Sequence, residues 1–225
     1  MDDQEIRIMA KLLNNPDKEL SEFARKRLDS LDLSKLVQFG RLALVPKQII
    51  IANALKRETG EPDELNLLET AAQFGYLQQL PEEVKSKELL MSKSPYSGDT
   101  IFHLAALRGH LDQLPQSLLT QETLVENRSR TNWTPISNAL VNGLAHQIPA
   151  QLLTTENLLR PVGPANDPII ALIAFNDKLD QFQGTELSEE LKTYIGNNWW
   201  IKNQETLKAK KEVTSIEPTT EVEIF

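Results

Sequence analysis

Gln73-Phe74-Gly75-Tyr76-Leu77-Gln78-Gln79-Leu80-Pro81 is followed by Leu107-Arg108-Gly109-His110-Leu111-Asp112-Gln113-Leu114-Pro115. The frame returns as Val141-Asn142-Gly143-Leu144-Ala145-His146-Gln147-Ile148-Pro149. Gly75, Gly109 and Gly143 are each separated by 34, and so are Pro81, Pro115 and Pro149. A fixed period of roughly 20 to 50 residues predicts stacked supersecondary units, each burying its apolar face against its neighbours. Arrays of this kind usually present a surface to other macromolecules.

The unit is best framed from Thr100. Thr100-Ile101-Phe102-His103-Leu104-Ala105-Ala106-Leu107-Arg108-Gly109-His110 predicts a short helix, with Phe102, Ala105 and Ala106 on one face at i, i+3, i+4. The paired alanines let a neighbouring helix come close. Gly109 can end the helix in the left-handed conformation, which glycine adopts without a Cβ clash. A second helix is expected from Leu111, with Leu111, Leu114, Leu118 and Leu119 inward and Leu124 as a further apolar point. Glu126 to Trp133 is polar and leads into the next unit.

Thr100-x-x-His103-x-Ala105-Ala106-x-x-Gly109-His110 resembles the ankyrin repeat signature T-P-L-H-x-A-A-x-x-G-H, and Thr134-Pro135-Ile136 supplies its proline in the next unit. Leu118-Leu119-Thr120-x-Glu122-x-Leu124 recurs as Leu152-Leu153-Thr154-x-Glu156-x-Leu158. The pattern is similar to divergent, slightly long ankyrin units common in bacterial proteins. It is strong from Leu67 to Leu159. Downstream the frame drifts, with Asp112-Gln113-Leu114 mapping to Asp180-Gln181-Phe182 and Gly109 to Asp177; upstream, Gln38-Phe39-Gly40-Arg41-Leu42-x-x-Val45-Pro46 matches at a spacing of 35. Drift suits the outer units, because terminal repeats must present a polar outer face. The resemblance therefore implies an all-α, ankyrin-like solenoid of about five units over residues 31–184. Helical caps are expected over 1–30 and 185–211, with an acidic disordered tail over 212–225. One departure bears on the groove. Ankyrin units have an uninterrupted second helix, whereas Pro81, Pro115 and Pro149 fall inside or just after its start, where proline is tolerated only in the first turn, so a split into a short turn and a separate later helix is an alternative expectation here.

In the N-terminal cap, Ile6, Met9 and Leu13 predict an amphipathic helix. Asn15-Pro16-Asp17 reads as a helix start, Asn15 capping and Pro16 in first position, before a stripe of Leu20, Phe23, Ala24, Leu28 and Leu31. In the C-terminal cap, Thr185 or Ser188 can begin a helix whose stripe is Leu187, Leu191, Tyr194, Ile195 and Trp199, with Trp200 pointing elsewhere. Glu212 to Phe225 holds four glutamates and no basic residue, the composition of a disordered segment.

With 225 residues, 40% of them hydrophobic, the chain can bury a real core. It has no cysteine, which excludes disulfides and thiolate metal sites and fits a reducing cytoplasm. Ile6 to Leu13 is broken by Arg7 and Lys11 and fails as a signal-peptide core; no stretch reaches the roughly 18 apolar residues of a membrane span. The net charge of −8 argues against binding nucleic-acid phosphate.

No nucleotide or hydrolase motif is present. His103, His110 and His146 are the three histidines. The ankyrin resemblance implies that His103 bonds Thr100 and ties hairpin to helix. His110 also falls at a family position, and His146 is expected to be exposed. Ser137 aligns with His103 as a repeat variant. No catalytic, cofactor or metal residue is therefore expected. What the resemblance implies instead is a concave surface made by the loop before each threonine and the exposed face of the first helix. That places Tyr96, Ser97, Asp99, Leu107 and Arg108 in one unit. The next gives Arg128, Arg130, Thr131, Trp133, Val141 and Asn142, and the third Ala165, Asp167, Phe175 and Asn176. Tyr96, Asp99, Arg108, Arg128, Arg130, Trp133 and Asn142 are the candidate partner-binding residues, since Trp, Tyr and Arg dominate binding hot spots. The expected function is a non-catalytic, monomeric, cytoplasmic protein–protein interaction module, with a partner of acidic or mixed surface and neither nucleic acid nor membrane. A regulatory subunit or inhibitor of an enzyme or toxin-like system is the alternative, and a nucleic-acid-associated protein the more distant one.

Overall fold

The computed structural model describes residues 1–55, 66–182 and 187–195. Trp199, Trp200, Thr185, Glu186, most of the expected C-terminal cap and the acidic tail lie outside them. The described chain is mostly helical. In order come α1 (Asp3–Leu12), α2 (Lys18–Asp29), α3 (Leu33–Gln38), α4 (Lys47–Leu55), α5 (Leu67–Phe74), α6 (Lys87–Leu90), α7 (Ile101–Arg108), α8 (Pro135–Val141), α9 (Thr155–Leu158), α10 (Ile169–Phe175) and α11 (Glu189–Tyr194). A two-residue antiparallel ribbon, β1 (Pro161–Val162) with β2 (Asp167–Pro168), departs from a purely helical expectation.

The period is carried into space. Helices α3, α5, α7, α8 and α10 start at residues 33, 67, 101, 135 and 169, and each packs on the next in chain order. Close approach is possible because the contact positions are small: Ala71, Ala72, Ala105, Ala106, Ala139 and Ala174 are all buried. Each helix is followed by a residue of positive φ, namely Gly40, Gly75, Gly109, Gly143 and Asp177. Asp177 keeps the left-handed turn at φ 56°, so the drifted last unit preserves the shape after losing the residue that makes it cheap.

In the later units the second helix is split into a short turn and a later helical segment, the alternative that the prolines raised. After Pro81, Pro115 and Pro149 the chain makes a single 3₁₀ turn, and the helix restarts further on, as α6, as a π-turn over Gln121–Glu126, and as α9. The leucines expected on one helical face are nevertheless buried at Leu111, Leu114, Leu119 and Leu124. The break has a local cause. Ser86, Thr120, Thr154 and Ser188 recur once per period, and each accepts a backbone N–H from three positions on, which turns the chain out of the preceding turn and caps a new one. The first unit has Ile51 at this place, which cannot cap, and α4 runs through it as one helix.

At the N-terminus, α1 and α2 pack as a hairpin, closed by an Asp2/Glu5 capping box. Two details differ from the sequence expectation. Asp17, not Asn15, caps α2, accepting from Glu19 and Leu20 N–H; Asn15 Oδ1 instead accepts from Asp17 N at 2.9 Å. An Asx turn through the proline thus displaces the helix start by two positions. Leu20 and Phe23 are exposed, whereas Ala24 and Leu28 are fully buried, so the core-facing stripe is narrower than the run of apolar residues. At the other end Ser188 caps α11, Leu191 is buried, and Leu187, Tyr194 and Ile195 pack on the core.

Candidate interaction surface

The loop before each first helix forms a finger. Ser94 N donates to Asp99 O in one, Ser129 N to Trp133 O in the next, and β1–β2 make the third. A left-handed residue stands at each tip, at Gly98, Asn132 and Asn166, again one period apart. The fingers are joined side by side. Arg130 N donates to Ser97 O at 2.9 Å, and Gly163 N to Asn132 O at 3.1 Å. Asn132 Nδ2 donates to Asn166 Oδ1 at 2.8 Å. Lys93 Nζ donates to Arg128 O at 2.8 Å, and Arg128 Nη1 to Asn132 Oδ1 and to Pro161 O. The asparagine tips escaped the sequence reading, although their periodic spacing was available to find them.

His103 anchors the middle finger to its helix. It is 1% exposed. Nδ1 accepts from Thr100 N at 3.1 Å and lies 3.0 Å from Thr100 Oγ1, while Nε2 lies 3.2 Å from Trp133 O. An acceptor at Nδ1 and a donor at Nε2 describe the neutral Nε2–H imidazole. Burial holds its pKa below the ordinary histidine value, against the raising effects of the Asp99 charge and the Trp133 carbonyl. Asn127 Nδ2 donates to Thr100 Oγ1 at 2.9 Å and extends the network. Both ring nitrogens are engaged by polypeptide, so the imidazole has no face to offer a substrate. Ser137 takes the corresponding place in the next unit, its Oγ accepting from Thr134 N at 2.9 Å. His110 lies over Gly75, where a Cβ would approach its ring to 2.7 Å, and His146 is exposed. Among the described residues no three His, Asp or Glu side chains converge as a metal site.

The expected contact residues separate into two groups. Tyr96, Asp99, Arg128, Arg130 and Trp133 belong to the fingers. Tyr96 and Arg130 are exposed, and the Arg130 side chain lies against Gly98. Arg128 is half-buried in the bonds just described. Trp133 is half-buried with its ring over Gly163, part of the finger packing. Arg108 and Asn142 stand at the other end of the first helices, about 12 Å along the axis for an eight-residue helix. Asn142 Nδ2 donates to Asn138 O there, and Arg108 is exposed. The three arginines thus do not form one cluster; Arg128 and Arg130 share a finger, and Arg108 does not.

Between residues 111 and 144 charge is sorted by position. Residues 127–144, a finger and its helix, hold Arg128 and Arg130 and no Asp or Glu. Residues 111–126, the turns on the other side, hold Asp112, Glu122 and Glu126 and no Lys or Arg. No helix among the described residues is long and apolar enough to cross a membrane. Compared with known proteins, the chain matches no family model and no curated sequence.

Proposed function

We propose that the chain is an ankyrin-like repeat solenoid of about five units serving as a non-catalytic protein–protein interaction module, monomeric and cytoplasmic. The supporting observation is the row of fingers tied to one another by Ser97, Arg130, Asn132, Gly163 and Asn166, which fixes the fingers before any partner arrives. Preorganised surfaces lose less conformational freedom on binding. Tyr96 and Arg130 would contact the partner directly, and Trp133 would hold the finger that carries Arg130. The absence of acid from residues 127–144 favours a partner with an acidic or mixed surface.

The test is capture of partners from native extract by the full chain, followed by titration of the captured protein against variants. Arg130→Glu should weaken binding at least tenfold without lowering the melting temperature, and the loss should shrink at high salt, because exposed charges are screened over about 8 Å at physiological ionic strength. Trp133→Ala should weaken binding and also lower the melting temperature modestly. Wild-type affinity in folded variants of both would place recognition elsewhere on the molecule.

A further inference from the structure

His103 stands where two fingers meet one helix. Its Nδ1 accepts from Thr100 N–H at the base of the first finger, and its Nε2–H donates to Trp133 O at the base of the second. Asn127 Nδ2 ties the start of the second finger to the same point, donating to Thr100 Oγ1 at 2.9 Å. The corresponding places in the other units hold Lys35, Glu69, Ser137 and Ala171. Glu69 and Ser137 bond their own N-caps, Asn66 and Thr134, whereas His103 bonds its own N-cap and the carbonyl of the following finger. Of these side chains only the imidazole ordinarily changes charge between about pH 5 and 8.

The network has a direction that a proton reverses. Thr100 N–H and the Thr100 hydroxyl both point at the Nδ1 lone pair. With a proton there, two N–H donors would face each other at 3.1 Å, and the hydroxyl would lose its acceptor. The cation would also be buried at a site with 1% exposure. Neighbouring charge does not rescue it. Asp99 and Lys93, both in the first finger, face the ring and oppose each other. The helix of His103, α7, is packed by α5, α8 and the turns over Leu111–Gln113 and Gln121–Glu126. Glu69 on α5 is turned to Asn66, α8 holds no titratable residue, and Asp112, Glu122 and Glu126 on the turns are exposed. The ring therefore takes a proton by leaving its place, and both fingers lose their anchor when it does.

We propose that His103 is an acid-released latch on the contact surface: a proton on Nδ1 frees the first and second fingers from α7, while the α1–α2 hairpin stays closed. The proposal rests on the fingers being the place of recognition and adds how that surface is regulated.

Hydrogen-exchange mass spectrometry on the full chain at pH 7.5 and pH 5.5 tests it, after correction for the pH dependence of chemical exchange. An imidazole that titrates at roughly 6.5 in the open state and not in the closed one raises the open population about tenfold over this interval. Protection in residues 94–103 and 127–134 should fall by that factor, and in α1 and α2 by at most about threefold. His103→Gln does not titrate and keeps an acceptor that suits this place in a capping box, so its fingers should be equally protected at both pH values. His103→Ser, which copies Ser137 of the next unit, carries the same expectation if the glutamine variant melts early. Unchanged protection in the wild type, an equal fall in the non-titrating variant, or an equal fall in α1 and α2 would overturn the proposal. A flat profile with captured proteins that still depend on Arg130 removes the latch and keeps the scaffold reading. The expected profile with captured proteins that ignore Arg130 keeps the latch and moves recognition off the fingers.

Discussion

His103 joins three backbone segments through one ring, and its energetics follow from that. Removing it leaves Thr100 N–H and the Trp133 carbonyl without their partner, in a site where Thr100 is 1% exposed. A lost hydrogen bond is worth about 1 kcal/mol, and a stranded buried group about 1–3 kcal/mol. His103→Ala should therefore destabilise by about 2 kcal/mol in urea titration; an unchanged midpoint would discount the tie. The pH dependence has a definite sign. The folded pKa is depressed by burial, so below the unfolded value of about 6.5 the unfolded chain binds more protons, and stability falls as pH drops through that range. The gap between wild type and His103→Ala should narrow from pH 7.5 to pH 5. Gly75 makes a second test, having φ 77° and an imidazole where a Cβ would go. Gly75→Ala should cost at least about 1 kcal/mol by the same titration, because left-handed backbone and displacement of His110 add. The His103–Thr100 tie was implied by the ankyrin resemblance, and the left-handed turn at Gly75 by the recurrence of glycine once per period; the His110 ring over Gly75 was in neither. The Nε2 contact to Trp133, in the following unit, was not legible in the sequence, because only stacking creates it.

At the scale of elements, the first helices were readable, and the prolines raised the split of the second without giving the caps that make it. Phe102, Ala105 and Ala106 announce a buried face by helical spacing, and all three are fully buried. The buried leucines after Leu111 satisfy the same spacing without forming the helix, because Thr120 and its counterparts offer the backbone a competing hydroxyl acceptor. Periodicity reports which side chains go inward, and a cap decides whether the backbone between them is continuous. The glutamines show a similar limit. Gln147 donates to Gly109 O at 2.6 Å and accepts from Leu111 N at 3.2 Å; Gln181, one period later, donates to Leu140 O and accepts from Ala145 N. A glutamine closing each 3₁₀ turn was visible in the alignment of units, but nothing local said that it bonds to the unit before. The helix contact itself is testable at Ala106, which is fully buried where α7 meets its neighbours. Ala106→Leu adds three carbons to a contact with no room and should cost about 1–3 kcal/mol. Urea midpoints equal to wild type would mean the helices can separate without loss.

Among the described residues, the extensive contacts between first helices join neighbouring units. The first helices contact each other in sequence order, the glutamine and finger bonds span about one period, and each residue after a left-handed turn covers the previous unit, as Tyr76 covers Gly40 and Lys178 covers Gly143. Stability in such a stack is approximately a sum of unit and nearest-neighbour contributions, so a unit with two well-formed interfaces opens least. Among the described residues, helices α7 and α8 have the most extensive contact, and both sit between other units. The ends differ. At the N-terminus the α1–α2 hairpin adds buried Ile6, Ala24 and Leu28, while toward the C-terminus the last left-handed position carries Asp177 in place of glycine. Amide exchange should accordingly be slowest in α7 and α8, intermediate in α3 and α5, and fastest in α10 and α11. Hydrogen-exchange mass spectrometry on the full chain would resolve this gradient peptide by peptide. Ala106→Leu should speed exchange in α7 and α8 most, with a smaller effect on α1. Uniform protection from α1 to α11, rising and falling together in the variant, would instead describe a single cooperative core rather than a chain of coupled units.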